Sequence, residues 1–365
     1  MDKLGIYVHI PFCAAKCKYC DFFSKSGNED EINRYISAVN ERLAEYGKML
    51  NRTADTLYIG GGTPGLIGAD RLSSIADTAK SAFLLDNAEL TAELNPASSG
   101  DSFDFERLRR SGFNRLSIGM QSANDNELKR LGRLHTAEDV KTTVSRARAA
   151  GFKNISLDLM LCIPEQTKES LNRSIEYCTS LDVEHISAYI LKIEEGTPFY
   201  KEKDTLTLDE DIQADFYLFA CERLEQLGYC QYEISNFSKP KMESKHNLKY
   251  WNCDEYLGIG CAAHSFLNRK RFYTDRSFEE FYNGTTHQDG NGGSVEEYIM
   301  LRLRLTEGLT YKLFKERFGF ELPQKYIAKA EKLSKTNFLI CDNKGIRLTK
   351  EGFLISNTLI LEILS

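Results

Sequence analysis

The chain has 365 residues, of which 47 are Lys or Arg and 53 are Asp or Glu, for a net charge of −6 at neutral pH. That length accommodates one large domain with a smaller appendage, and the acidic balance argues against a protein built around non-specific nucleic-acid affinity. No run approaches the roughly 20 apolar residues that cross a bilayer, and the start lacks a basic stretch followed by an apolar one, so no integral membrane segment is expected and the reading is cytoplasmic.

The first element in chain order is a strand at Leu4-Gly5-Ile6-Tyr7-Val8-His9-Ile10, followed by Pro11-Phe12 and then Cys13, Cys17 and Cys20 in the pattern Cys-x3-Cys-x2-Cys. Three thiolates on one compact loop can hold three irons of a 4Fe-4S cluster and leave the fourth iron open to a ligand. The competing reading is a zinc site completed by His9, although tetrahedral zinc favours paired cysteine knuckles over a triplet. The other seven of the ten cysteines are scattered singly along the chain, as buried free thiols in a reducing compartment would be.

A helix is predicted over residues 30–50, a strand over 56–59 and a helix over 68–83. The alternation continues with a strand at 89–94, a helix at 103–110, a strand at 115–119, helical stretches to 150, and strands at 155–163 and 185–193 with helices near 168–180 and 209–227. Six βα units of this kind indicate parallel α/β architecture, better fitted by a partial (β/α)6, TIM-like barrel than by a flat sheet. The apolar run over 186–191 suggests strands buried on both faces.

In such a barrel the carboxyl ends of the strands converge on one mouth, so polar residues there are candidates for function. Gly60-Gly61-Gly62-Thr63-Pro64 lets backbone approach a ligand without Cβ atoms in the way, or makes a plain tight turn. Glu93 and Asp158 are carboxylates inside otherwise apolar strands and need partners: a salt bridge, a ribose or a cation. Gln121 can both donate and accept toward a ligand, or cap a helix. Arg133 offers a planar fork suited to a carboxylate, or is an ordinary exposed helix arginine.

From about residue 230 to 293 the periodicity dissolves into short aromatic- and Gly-rich pieces, and Asp289-Gly290-Asn291-Gly292-Gly293 reads as a linker. Helices follow near 295–305, 311–318 and 323–334, then a hairpin over 338–349 turning at Asn343-Lys344-Gly345. Three helices and a hairpin resemble a winged-helix module, here without a dense basic run. The expected organisation is therefore a barrel over 1–230, a barrel-closing extension and linker over 231–293, and a small winged-helix-like α+β domain over 294–365.

On these residues the chain resembles the radical S-adenosylmethionine (SAM) superfamily over roughly residues 4–266. Tyr7-x-His9-Ile10-Pro11-Phe12-Cys13, Gly60-Gly61-Gly62-Thr63-Pro64, Gly119-Met120-Gln121-Ser122 and Asp158-Leu159-Met160-x-x-Ile163-Pro164 are similar to the oxygen-independent coproporphyrinogen oxidase and HemW branch, which is tied to tetrapyrroles. The resemblance implies Cys13, Cys17 and Cys20 as cluster ligands, with SAM chelating the open iron. It implies SAM contacts from Tyr7, Gly61, Gly62, Thr63, Glu93, Gln121, Arg133 and Asp158, with Tyr19 near adenine.

Two relatives within the branch then compete. The oxidase extends the triplet with a fourth cysteine, where this chain has Phe22, and carries a longer N-terminal arm. The element His246-Asn247-Leu248-Lys249-Tyr250-Trp251 is similar to the His-Asn-x-x-Tyr-Trp signature of HemW-type heme chaperones, and it contains the only tryptophan. An imidazole can ligate heme iron while Tyr250 and Trp251 offer flat apolar surface; closing the barrel is the other use for such a cluster. Cys253, Cys261 and His264 are alternative axial ligands. The resemblance thus implies a heme chaperone that binds a 4Fe-4S cluster, SAM and heme and delivers heme to respiratory acceptor proteins. Homodimerisation and SAM turnover are left open. The alternatives are an oxygen-independent coproporphyrinogen III decarboxylase and, resting on the C-terminal pattern alone, a winged-helix regulator.

Overall fold

The computed structural model describes residues 3–98 and 103–365. Six consecutive parallel strands form its centre: β1 (Leu4–Ile10), β2 (Ala54–Gly61), β3 (Glu89–Leu94), β4 (Arg115–Gln121), β5 (Ile155–Leu161) and β6 (His185–Ile190). Helices return the chain between them, and their starts are written locally. Asn28 caps the helix Glu29–Leu50 in a reciprocal pair with Glu31, Thr136 does the same with Asp139 for Ala137–Ala149, and Thr167 with Ser170 for Lys168–Ser180. The helical stretches expected up to residue 150 are two helices, Asp125–Leu131 and Ala137–Ala149, the first ended by Gly132 at φ +77°.

Each central strand alternates in one sense. Leu57, Leu90, Leu116, Leu157 and Ile186 join the apolar core beneath the helices, whereas Tyr58, Glu93, Arg115, Ser117, Asp158 and His185 line a cavity on the other face. Both faces are covered, as expected, but only one is apolar. The inner face is a polar lumen rather than the packed layers that fill a closed eight-stranded barrel.

The segment after residue 230, where no periodicity was legible, widens this sheet at both edges. β7 (Cys230–Gln231) and β8 (Asn236–Ser238) run antiparallel beside β6, while β9 (Tyr256–Ile259) lies parallel to β1 and leads into β10 (His264–Leu267), β11 (Lys270–Tyr273) and β12 (His287–Asn291). The resulting order among the described residues is β12-β11-β10-β9-β1-β2-β3-β4-β5-β6-β8-β7. Strands of two to five residues are too short to show a period, which is why they escape a reading of the sequence. The expected linker over 289–293 is not one: His287–Asn291 pairs with β11 as an edge strand.

The last part of the chain forms helices Val295–Arg302, Tyr311–Phe318 and Gln324–Leu333 beside a small three-stranded sheet made by Leu309–Thr310, Gly345–Leu348 and Leu339–Cys341. This is the winged-helix-like pattern, closed by two further helices at Lys350–Leu354 and Ser356–Leu364. It grips the barrel through Arg302, whose guanidinium reaches the Asn252 side chain, and through Arg317, which donates to the Asn252 carbonyl at 3.2 Å. Among the described residues no helix is long and apolar enough to cross a membrane.

Candidate functional site

The cysteine loop is tied to the barrel mouth by backbone. Cys13 N donates to the Lys25 carbonyl and Lys25 N to that of Pro11, at 3.0 and 2.9 Å, while Lys18 N donates to Leu131 O at 3.0 Å. Phe199 N in turn donates to Lys18 O at 3.0 Å, so the middle of the loop is held from two sides. Cys13, Cys17 and Cys20 are all free and half-buried, and they face one depression together with Gly61, Gly62 and Thr63. The sulfurs already have polar company: Cys13 Sγ lies 3.3 Å from Thr63 Oγ1, and Arg133 Nη1 donates to Cys17 Sγ at 3.6 Å. Burial pushes the Cys20 thiol up.

His9 does not complete a zinc site. Its Nε2 lies 3.0 Å from the Phe23 carbonyl and its Nδ1 3.0 Å from the Tyr7 hydroxyl, so both ring nitrogens are engaged. The ring instead supports the glycine turn from below. At Gly61, where φ is +118°, a Cβ would come within 2.6 Å of the His9 ring, and at Gly62 one would come within 3.0 Å of Cys13 Sγ and 2.7 Å of the Phe12 carbonyl. The turn is therefore a close approach of backbone to the cysteine loop that no side chain could share.

The remaining strand-end residues surround the same depression. Glu93 accepts from the Tyr58 hydroxyl at 2.8 Å and from Gly61 N at 3.0 Å, and Asp158 accepts from Ser117 Oγ at 3.3 Å. Neither carboxylate belongs to an ion pair among the described residues, so the salt-bridge reading of both falls. Burial lifts Glu93 to about 7 and Asp158 to about 6, which leaves each able to share a proton with, or accept one from, a ligand. Gln121, at φ +67°, caps no helix; its Oε1 accepts from the Tyr189 hydroxyl at 2.8 Å. Arg133 follows the Gly132 turn rather than lying on a helix. Its Nη2 donates to the Gly119 carbonyl at 2.7 Å, while its Nε is buried and has no partner. Tyr19 lines the depression, and Tyr7 lies deeper, its ring stacked on Tyr58 at 6.3 Å and its phenol pushed well up by burial and by Glu93.

The His246 element lies elsewhere, as the helix Lys245–Trp251 across the opposite end of the lumen. Glu89, at the start of β3, accepts from the amides of Lys245 and His246 at 3.2 and 3.1 Å, a carboxylate on a helix N-terminus. His246 is 1 % exposed, with Nδ1 2.8 Å from Thr56 Oγ1 and Nε2 2.8 Å from the Tyr250 hydroxyl. Burial holds the imidazole down to about 3 and hence neutral, and in this conformation neither nitrogen faces an open space where iron could sit. Asn247 points into the lumen, while Tyr250 and Trp251 are half-buried. The alternative ligands are dispersed: Cys253 and Cys261 are buried, and His264 is exposed at the start of β10.

Comparison with known proteins gives this arrangement a family. The Radical SAM superfamily model matches residues 7–178 and the HemN C-terminal domain model residues 294–355. The chain is 35% identical to the "Heme chaperone HemW" of Bacillus subtilis (strain 168), over 96% of each chain. This chain belongs to the HemW family of radical SAM proteins. A second HemW, from Lactococcus lactis, is 32% identical over 98% of this chain and 96% of its own. Among solved structures, the radical SAM coproporphyrinogen III oxidase (HemN) of Escherichia coli superposes with a TM-score of 0.83 at 21% identity, covering 99% of this chain and 90% of that one, and so shares the fold.

One lumen residue of this HemW family member went unnoticed as a candidate. Arg115 opens β4, and at a strand's first position an arginine reads as an end-of-strand solvent contact. The available signal was its spacing: Arg115, Ser117 and Gly119 share one face of the strand, and so does the carbonyl that holds Arg133.

The buried carboxylate also sets a pH dependence. A glutamate lifted to about 7 keeps its proton when folded but releases it when unfolded at lower pH. Its stabilising contribution is therefore complete below about 4.5 and lost as pH rises through about 7. Glu93→Gln stays neutral throughout, so the stability of the ligand-free wild type relative to this variant should fall between about pH 4.5 and 7, by at most about 1.4 kcal/mol per pH unit. Paired thermal melts check this, and a gap independent of pH would show that Glu93 ionises normally.

Proposed function

We propose that this protein is a heme chaperone: it carries a 4Fe-4S cluster on Cys13, Cys17 and Cys20, binds SAM at the mouth of the barrel, and takes up heme for delivery to acceptor proteins of respiration. The observation that carries this reading is the near-full-length kinship with heme chaperones in a chain that keeps the cysteine triplet and places Phe22, 68% exposed, where an oxidase has a further cysteine. The residues at the mouth suit these groups. Three free thiols facing one depression fit a cluster with one iron open, and the orphaned Nε of Arg133 fits a ligand carboxylate. When bound, the cluster supplies single electrons and SAM a sulfonium bond that an electron can cleave.

Each surrounding residue then has a task. Thr63 and Arg133 draw charge from two of the sulfurs, and the bare backbone at Gly61 and Gly62 leaves room beside them. Glu93 and Asp158 accept from ligand amino or hydroxyl groups, Gln121 is oriented by Tyr189, and the Tyr19 ring offers a flat surface beside the depression for adenine. His246, Asn247, Tyr250 and Trp251 form the heme element. Because His246 is locked at both nitrogens, it becomes a ligand once the floor helix Lys245–Trp251 moves. Ten free cysteines suit a reducing cytoplasm.

The test is anaerobic reconstitution followed by parallel assays on one preparation. Stoichiometric heme binding and transfer to an apo-protein, without decarboxylation of coproporphyrinogen III, is the expected result. Decarboxylation over many turnovers would replace this reading with the oxidase.

A further inference from the structure

Below the mouth, the lumen opens into a cavity of about 510 Å3 bounded at its far end by Asn247 of the floor helix. Arg115 lines it. The residue is 2 % exposed, its Nε and Nη1 are buried with no hydrogen-bond partner, and it takes part in no ion pair among the described residues. Burying a guanidinium in this state is costly unless something arrives to pair with it. The groups beside it do not. Ser117 donates to Asp158, and His185 is fixed between Ser156 Oγ at 2.7 Å and the Tyr232 hydroxyl at 2.8 Å, its charge suppressed by burial. Glu93 and Asp158 face the same lumen and feel the Arg115 charge, but neither hydrogen-bonds to it or forms an ion pair with it among the described residues.

We propose that Arg115 is the anchor for a carboxylate group of a small molecule held inside the lumen, paired through the unpartnered N–H groups of its guanidinium. The site is suited to a single carboxylate rather than a phosphate: one cation shares the space with two carboxyl groups, and a dianion would meet them both. It is also distinct from the position expected for the SAM carboxylate. Gly119, whose carbonyl holds Arg133, lies four positions beyond Arg115 on β4, a span of about 13 Å at the rise of an extended strand. Resting on the heme-chaperone reading, the carboxylate is a porphyrin propionate. Tyr58, Met160, Tyr189 and Leu191 line the same cavity and offer flat and apolar surface for the ring.

The experiment uses the full, anaerobically reconstituted protein with three probes: heme, heme dimethyl ester and sodium propionate. Arg115→Met keeps the volume and removes the charge, and Arg115→Gln keeps hydrogen-bonding capacity in case the first variant packs poorly. Wild type should bind heme at least tenfold more tightly than the ester, both variants should lose that discrimination, and their melting temperatures should be equal to or above that of wild type. Equal binding of heme and ester by wild type overturns the propionate anchor. So does a variant that weakens heme and ester alike, which would mark Arg115 as structural, or one that weakens SAM binding while the ester discrimination survives. A melting shift with propionate alone that is lost in both variants, without ester discrimination, keeps the carboxylate site but assigns it to a free acid. If neither porphyrin binds, the chaperone reading fails, and the propionate arm still decides the site.

Discussion

Cys17→Ala should leave a folded protein that retains less than about a tenth of the wild-type cluster iron. The fold survives because the loop is fixed by backbone rather than by its sulfurs: Lys18 is held on both sides by Leu131 and Phe199. The cluster does not survive, because Cys17 supplies one of only three thiols and is the one that Arg133 contacts. Its removal takes away a ligand and leaves the guanidinium with only the Gly119 carbonyl, so SAM binding at the mouth should fall with it. Cys178→Ala is the control. That thiol is completely buried in the apolar core, with burial pushing it well up, and its loss should cost some stability while iron and sulfide content stay unchanged. Full cluster content in Cys17→Ala, measured as iron, labile sulfide and visible absorbance, would overturn the ligand set.

Much of this site was legible in the sequence because its residues are punctuation as well as chemistry. The cysteine triplet and the triple glycine sit where strands end and turns begin, Arg133 sits just past the Gly132 cap of a helix, and chain order carries them to one end of a parallel sheet. The lumen was less legible. Its strands look like continuous apolar runs, since the outward residues Ile118, Leu157 and Ile186 dominate them while the inward set is small or aromatic, such as Ser117, Ser187 and Tyr189. Arg115 was hidden by lying at a strand's first residue, and β7 to β12 by being shorter than any period. For His246 the residue type was right for a ligand, but its partners come from distant segments. Thr56 and Glu89 lie more than 150 residues upstream, and nothing in the local spacing announces that they lock the helix in place.

That lock defines the second large effect. The floor helix is held at its N-terminus by Glu89, along its face by Thr56, and beyond its C-terminus by Arg302 and Arg317 of the last domain. Glu89→Ala leaves one buried and one partly buried amide without their charged acceptor and should cost about 2–4 kcal/mol of stability. If heme capture requires the helix to move, the same loss must favour the open form, and heme association should accelerate in a protein that is less stable. Tyr250→Phe separates release from damage. It keeps the ring that packs edge-on against His246 at 5.1 Å and removes only the hydroxyl on Nε2. Freeing that nitrogen should speed heme capture by up to about tenfold, the equivalent of one modest hydrogen bond, whereas His246→Ala should abolish axial ligation altogether. Stopped-flow Soret kinetics on the three variants decide the matter. Unchanged capture in Tyr250→Phe together with unchanged ligation in His246→Ala would make His246 a structural peg between β2 and the floor helix, and the iron would then take its ligand from outside the His-Asn-x-x-Tyr-Trp element.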